Sequence, residues 1–107
     1  MLVMLTTCPD KKSAEKVAKT LVEECYAACV NIINVENSIY MWKGKLKQDP
    51  EYMLLIKSKK GFREMESKIR EIHPYKIPEL ISLSVETESR DYLSWVIDCC
   101  HSKQGKK

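Results

Sequence analysis

Glycine is scarce in this chain of 107 residues, occurring only at Gly44, Gly61 and Gly105. Isolated glycines do not build the glycine-rich loop whose backbone N–H groups cradle phosphates, so nucleotide binding of that kind is excluded. Histidine is scarcer still, with His73 and His101 the only two. A Ser or Cys nucleophile with a histidine base would have to recruit His73 or a nearly terminal residue, and the chain is expected not to be an enzyme. Surplus charge is missing from the body as well: of eighteen Lys and Arg, three sit at Lys103, Lys106 and Lys107, which leaves fifteen against fifteen Asp and Glu. Without a basic groove there is no expected nucleic-acid partner. The opening residues, Met1 to Leu5 followed by Thr6, Thr7, Cys8, Pro9 and Asp10, lack the basic and apolar segments of a secretory leader. A cytoplasmic protein with no membrane partner is the expectation. The cysteines Cys8, Cys25, Cys29, Cys99 and Cys100 are odd in number and match neither a disulfide framework nor paired zinc knuckles, so reduced thiols are expected.

What is present is a hydrophobic content of 44%, enough for one domain over residues 1–102, with 103–107 read as a basic flexible tail. Leu2 to Leu5 is a short apolar run that suits a buried central strand. Asp10 caps a helix whose apolar stripe is Ala14, Val17, Ala18, Leu21, Val22 and Cys25. Cys29 to Ile33 and Ser38 to Trp42 read as one strand interrupted near Asn34 to Asn37, and Gly44 through Pro50 as the turn after it. Tyr52 to Lys57 is too uniformly apolar for a strand with a wet face, which points to cover on both sides. A second helix carries Phe62, Met65, Ile69 and Ile72 and stops before Pro74. Leu80 to Glu86 alternates as a half-buried strand, with Ile81, Leu83 and Val85 inward. A last helix from near Ser89 is apolar around more of its circumference than one sheet requires. The order strand, helix, strand, strand, helix, strand, helix is the split βαβ pattern of an α+β, ferredoxin-like sandwich with an added C-terminal helix. The over-covered elements point to an oligomer.

Two aromatic-rich segments stand out as parts of a site. In Ser38-Ile39-Tyr40-Met41-Trp42-Lys43-Gly44, strand alternation puts Tyr40 and Trp42 on one face and Ile39 and Met41 on the other, and neither is an ordinary solvated face. In His73-Pro74-Tyr75-Lys76-Ile77-Pro78-Glu79, two prolines make a rigid loop. His73, fixed beside proline at a helix end, is either a metal ligand or the partner of a backbone carbonyl there. Cys29, after Ala27 and Ala28, is either a soft donor that with imidazole favours copper or zinc, or a small buried hydrophobe. Cys8 before Pro9 is expected near solvent. Tyr40, Trp42, Glu51, Lys57 and Glu79 line either an amphipathic pocket or an aromatic subunit interface.

Taken in order, Thr7, Pro9-Asp10, Ala27-Ala28-Cys29-Val30-Asn31, Ser38-x-Tyr40-x-Trp42-x-Gly44, Glu51, Lys57, His73-Pro74-Tyr75, Pro78-Glu79 and Tyr92-x-x-Trp95 resemble the CutA divalent-cation tolerance family from about residue 2 to about 98. The resemblance implies a ferredoxin-like protomer closing into a homotrimer, a role in tolerance of divalent metals, and binding of copper or another divalent ion. It maps the ligand positions onto His73 and Cys29 and places Tyr75 with the pocket and interface residues. Two positions depart from the family pattern: Thr6 stands where some members have a first-strand cysteine, and Ile72 where some have a second histidine. Cys8 shares the side of Thr6 only if the first strand runs regularly to Pro9.

Overall fold

The computed structural model describes residues 1–101, so the expected tail at 103–107 lies outside the described residues. The elements run β1 (Leu2–Cys8), α1 (Lys11–Glu23), β2 (Cys29–Trp42), β3 (Lys45–Ser58), α2 (Phe62–Ile72), β4 (Ile81–Ser84) and α3 (Arg90–Cys99). The four strands form one antiparallel sheet in the order β2-β3-β1-β4, the ferredoxin-like arrangement that the element order implied.

One face of the sheet is dry. Met4, Thr6 and Cys8 of β1 and Leu54, Ile56 and Ser58 of β3 are buried there, against Ala14, Val17 and Leu21 of α1 and Met65 and Ile69 of α2. The Asp10 carboxylate accepts from Ser13 N–H at 2.7 Å and so caps α1. At the other end, Tyr26 N–H donates to Leu21 O and Cys25 N–H to Val22 O, a Schellman closure with Cys25 at φ 64° in the place glycine usually takes. Lys68 Nζ, 2.6 Å from Glu24 Oε1, ties α2 to the end of α1. α3 packs through Val96 and Cys100 on Ala28, with Met1 and Tyr92 beside them.

The opposite face is largely uncovered, and α3 reaches only its end, where Lys57 Nζ stands 5.8 Å from the Tyr92 ring centroid. In register across it lie Val3, Leu5 and Thr7 of β1, Met53 and Leu55 of β3, and Ile81 and Leu83 of β4. Ile81 and Leu83 are 46% and 50% exposed, so the expected half-buried strand is corrected: within the protomer its apolar side faces the bare side of the sheet. The same bareness explains why Tyr52 to Lys57 reads as apolar on both sides.

The turn expected over Gly44 to Pro50 is also corrected. Trp42 pairs with Lys45, so the loop is Lys43-Gly44 alone, at φ 51° and 78°, a two-residue turn with both residues left-handed. Pro50 lies within β3 opposite a bulge, where Val35 pairs with Glu51 and Ser38 with Asp49. The ladder is interrupted there, so a residue without an N–H fits. The result is a long β2–β3 arm reaching past the helices, with Ile39, Met41 and Leu46 each more than 60% exposed.

Candidate functional site

The bulge decides which side chains meet. β2 has one residue more than β3 between Val35 and Ser38, so the face that carries Asn31, Ile33 and Val35 before the bulge carries Ser38, Tyr40 and Trp42 after it. Those residues stand in register with Asp49, Lys47 and Lys45, on the largely uncovered face. The 74–79 loop closes over the same region. Between arm and loop is an open cleft of about 900 Å³ whose walls include Tyr40, Trp42, Glu51, Tyr75 and Glu79. Five of the six pocket residues expected from sequence are therefore brought together. Lys57 is not: it lies six residues along β3 from Glu51, roughly 20 Å at strand rise, with its Nζ 5.8 Å from the Tyr92 ring centroid. Lys47, Asp49 and Lys76 line the cleft instead. For Lys47 and Asp49 the signal was the alternation of β3, hidden while Gly44 to Pro50 read as a turn, whereas Lys76 belongs to the proline-bracketed loop.

The cleft is polar in a constrained way. Tyr75 Oη donates to Glu51 Oε2 at 3.1 Å, and Tyr40 Oη donates to Asp49 Oδ2 at 2.7 Å. Burial, then its bond to Glu51, holds the Tyr75 phenol well above the usual tyrosine range. The Tyr40 phenol is raised chiefly by its bond to Asp49. Partial desolvation, then the charge of Glu51, raises the Glu79 carboxyl above the ordinary glutamate value.

Behind the loop, His73 caps α2 by donating its N–H to Ile69 O and is only 8% exposed. Its ring is clamped on both sides. Nε2 lies 2.8 Å from Thr7 O, and Nδ1 accepts from Tyr75 N–H at 3.0 Å. Of the two roles open to His73 from sequence, the carbonyl partnership is present in the protomer. Desolvation lowers its pKa, against a smaller upward effect of the Thr7 carbonyl. Cys8 Sγ is 3.7 Å from His73 Nε2 and fully buried, which corrects the expectation of a solvent-near thiol. Burial, then the charge of Asp10, pushes that thiol up to about 11. Because β1 runs regularly through Cys8, Cys8 shares the helix-side face with Thr6, whose own Oγ1 is buried without a hydrogen-bond partner.

Cys29 stands elsewhere. It pairs with Lys57, which is level with Val3, whereas Cys8 is level with Tyr52. Five residues of strand rise separate the two ends of the sheet, roughly 17 Å. Within one protomer Cys29 and His73 do not share a site. Among the described residues no group of three or more His, Cys, Asp and Glu side chains gathers to hold a metal ion. No helix among them is long and apolar enough to cross a membrane.

Comparison with known proteins agrees with the fold. The divalent-cation tolerance protein CutA of Pyrococcus horikoshii is 38% identical over 99 residues, covering 92% of this chain and 96% of that protein. Its counterpart in Thermus thermophilus is 40% identical over 95 residues, covering 88% and 92%. The crystal structure of CutA1 from Pyrococcus horikoshii superposes with a TM-score of 0.91 at 37% identity, over 95% of this chain and all of that one. CutA1 from Oryza sativa gives 0.89 at 31% identity, covering 94% and 93%. With residues 2–99 also matching the family described as CutA1 divalent ion tolerance protein, the chain belongs to that family.

Proposed function

We propose that this chain acts in divalent-cation tolerance as a cytoplasmic homotrimer that binds copper or a similar divalent ion through His73. The observation that carries the reading is the buried contact of His73 Nε2 with Cys8 Sγ at 3.7 Å, in a chain whose relatives are named for divalent-cation tolerance. Imidazole with thiol is a donor chemistry suited to copper or zinc rather than to calcium or magnesium. As residue types, imidazole and thiol suit a soft or borderline ion, and His73 holds it, with Cys8 beside it, once its ring gives up the contacts with Thr7 O and Tyr75 N–H. Cys29 and Lys57, remote from His73 and the cleft within a protomer, take part only if a neighbouring subunit presents them. The bare sheet face and the doubly apolar arm support such an assembly. Five free cysteines support a reducing compartment.

The test is calorimetric titration of copper into reduced, metal-stripped protein of determined oligomeric state, beside His73→Ala. Saturable binding lost in the variant supports the reading, and equal binding by both removes His73 from the site. A second reading has its own observation, the cleft of about 900 Å³ with Tyr40, Trp42 and paired carboxylates in its walls. It makes the assembly a binder of a small organic ligand, with metal effects indirect. Saturable quenching of Trp42 fluorescence by a metabolite, independent of metal, supports that alternative.

A further inference from the structure

The cleft between arm and loop holds more acid than base, with Asp49, Glu51 and Glu79 in its walls against Lys47 and Lys76. The ion pairs among the described residues, Lys60–Glu64, Lys68–Glu24, Lys68–Glu71 and Arg70–Glu66, leave out all three of these carboxylates. Asp49 and Glu51 each accept one tyrosine hydroxyl, and a carboxylate has room for more donors. Glu79 has no side-chain hydrogen bond or ion pair with the described residues. A close ammonium would lower its pKa, yet what acts on it is desolvation and then the charge of Glu51, both upward. Glu51 and Glu79 therefore present negative charge that no lysine of the cleft answers.

The rest of the wall is aromatic. Tyr40 and Tyr75 are tethered at their hydroxyls, at 2.7 Å to Asp49 and 3.1 Å to Glu51, so both rings are held in place before a ligand arrives. Trp42 already draws a cation, with Lys43 Nζ 6.0 Å from its ring centroid, the outer limit of such a contact. These groups discriminate between classes of ligand. An anion finds Lys47 and Lys76 but must also face three carboxylates. A metal ion lacks the three converging donors it needs among the described residues. A neutral apolar molecule fills the space but desolvates Glu79 further and gives it no partner. An organic cation answers both features, its charge on the carboxylates and its carbon skeleton on the rings. We propose that the cleft binds an aliphatic ammonium compound, with its nitrogen on the Glu79 and Glu51 carboxylates and its alkyl chain against Tyr75, Tyr40 and Trp42. The inference rests on the small-ligand reading of the cleft above and adds to it the charge of the ligand and the residues that select it.

The experiment titrates n-butylammonium, n-butanol and n-butyrate, one at a time, into the full chain at constant ionic strength with a metal chelator present. Trp42 is followed through the nitrogen-15 signal of its indole, assigned by its loss in Trp42→Phe. The expected result is a saturable shift with n-butylammonium alone. Glu79→Gln should weaken that binding by about three- to tenfold. Glu66→Gln, which removes a carboxylate of α2 paired with Arg70, should leave it unchanged. Glu79→Gln keeps the size of the side chain and takes away a desolvated charge, so the variant folds, and its backbone spectrum checks this. Binding of n-butanol or n-butyrate as tight as that of n-butylammonium overturns the inference and leaves the small-ligand reading standing. Parent-like affinity in Glu79→Gln, or an equal loss in Glu66→Gln, does the same. Absence of a saturable shift with any of the three probes removes both.

Discussion

At the scale of single residues the site is governed by what burial does to polar groups. His73 joins the end of β1 to the loop after α2 through Thr7 O and Tyr75 N–H. Removing the ring takes a hydrogen-bond partner from each, at a typical cost of about 1–3 kcal/mol where a buried group is left unsatisfied. His73→Ala is expected to lower the unfolding free energy by that amount in denaturant titration, with His73→Gln recovering part of it. Glu79 shows the opposite balance. Its native pKa is raised by desolvation and by Glu51, so the native state holds the proton more tightly than the unfolded chain does. The carboxylate therefore costs stability above its native pKa. That cost disappears as pH falls through the native value towards the unfolded value of about 4.3. Glu79→Gln is expected to stabilise the protein at pH 7, by less than about 1 kcal/mol because the group is partly exposed. The gain should vanish below about pH 4 in thermal unfolding measured against pH.

At the scale of elements, β2 and β3 are the decisive pair. Their arm is closed by Lys43 and Gly44, both with positive φ, and its faces are set by the bulge between Val35 and Ser38. A Cβ at Gly44 meets nothing within 4 Å, so the cost of a side chain there is purely backbone. Gly44→Ala should cost about 1 kcal/mol of stability, and Lys43→Asn, a residue at home in this turn, should recover a few tenths of that order. Chemical denaturation of the two variants checks both signs. Deleting the extra residue of the bulge is a stronger test. It would turn Tyr40 and Trp42 to the face that Ile39 and Met41 now occupy, and Trp42 would leave the cleft.

For the whole molecule the unsolved matter of one protomer is uncovered apolar surface. Ile39, Met41 and Leu46 protrude on one side of the arm, and the bare sheet face presents Ile33, Ile81 and Leu83 on the other side of the molecule. β2 and β4 are both edge strands, and assembly is the usual way to cover such edges. In the trimeric reading the arm is the reaching part, so Met41→Glu should break the assembly without unfolding the protomer core, which lies under the helices. Sedimentation at decreasing concentration should show the variant dissociating where the parent stays assembled. A Met41→Glu protein that remains as large as the parent would place the contact elsewhere.

Sequence by itself determined the helices and the strand order, and it marked several of the residues in the cleft walls. Asp10 and Ser89 announce their helices because N-caps are local, Pro74 ends α2 by local sterics, and the apolar stripe of α1 follows from helical period alone. Tyr40, Trp42, Tyr75 and Glu79 were legible because their segments are aromatic or proline-rich where a solvated strand or a flexible linker would not be. Tertiary structure alone decided the rest. Whether Pro50 sits in a turn or a strand depends on the bulge opposite it, which is a property of pairing and not of the residue. Whether Lys57 belongs with Glu79 depends on where along the sheet each one falls. That Cys8, and not Cys29, lies against His73 depends on α2 returning to the end of β1, a contact between residues 65 positions apart that no local pattern encodes.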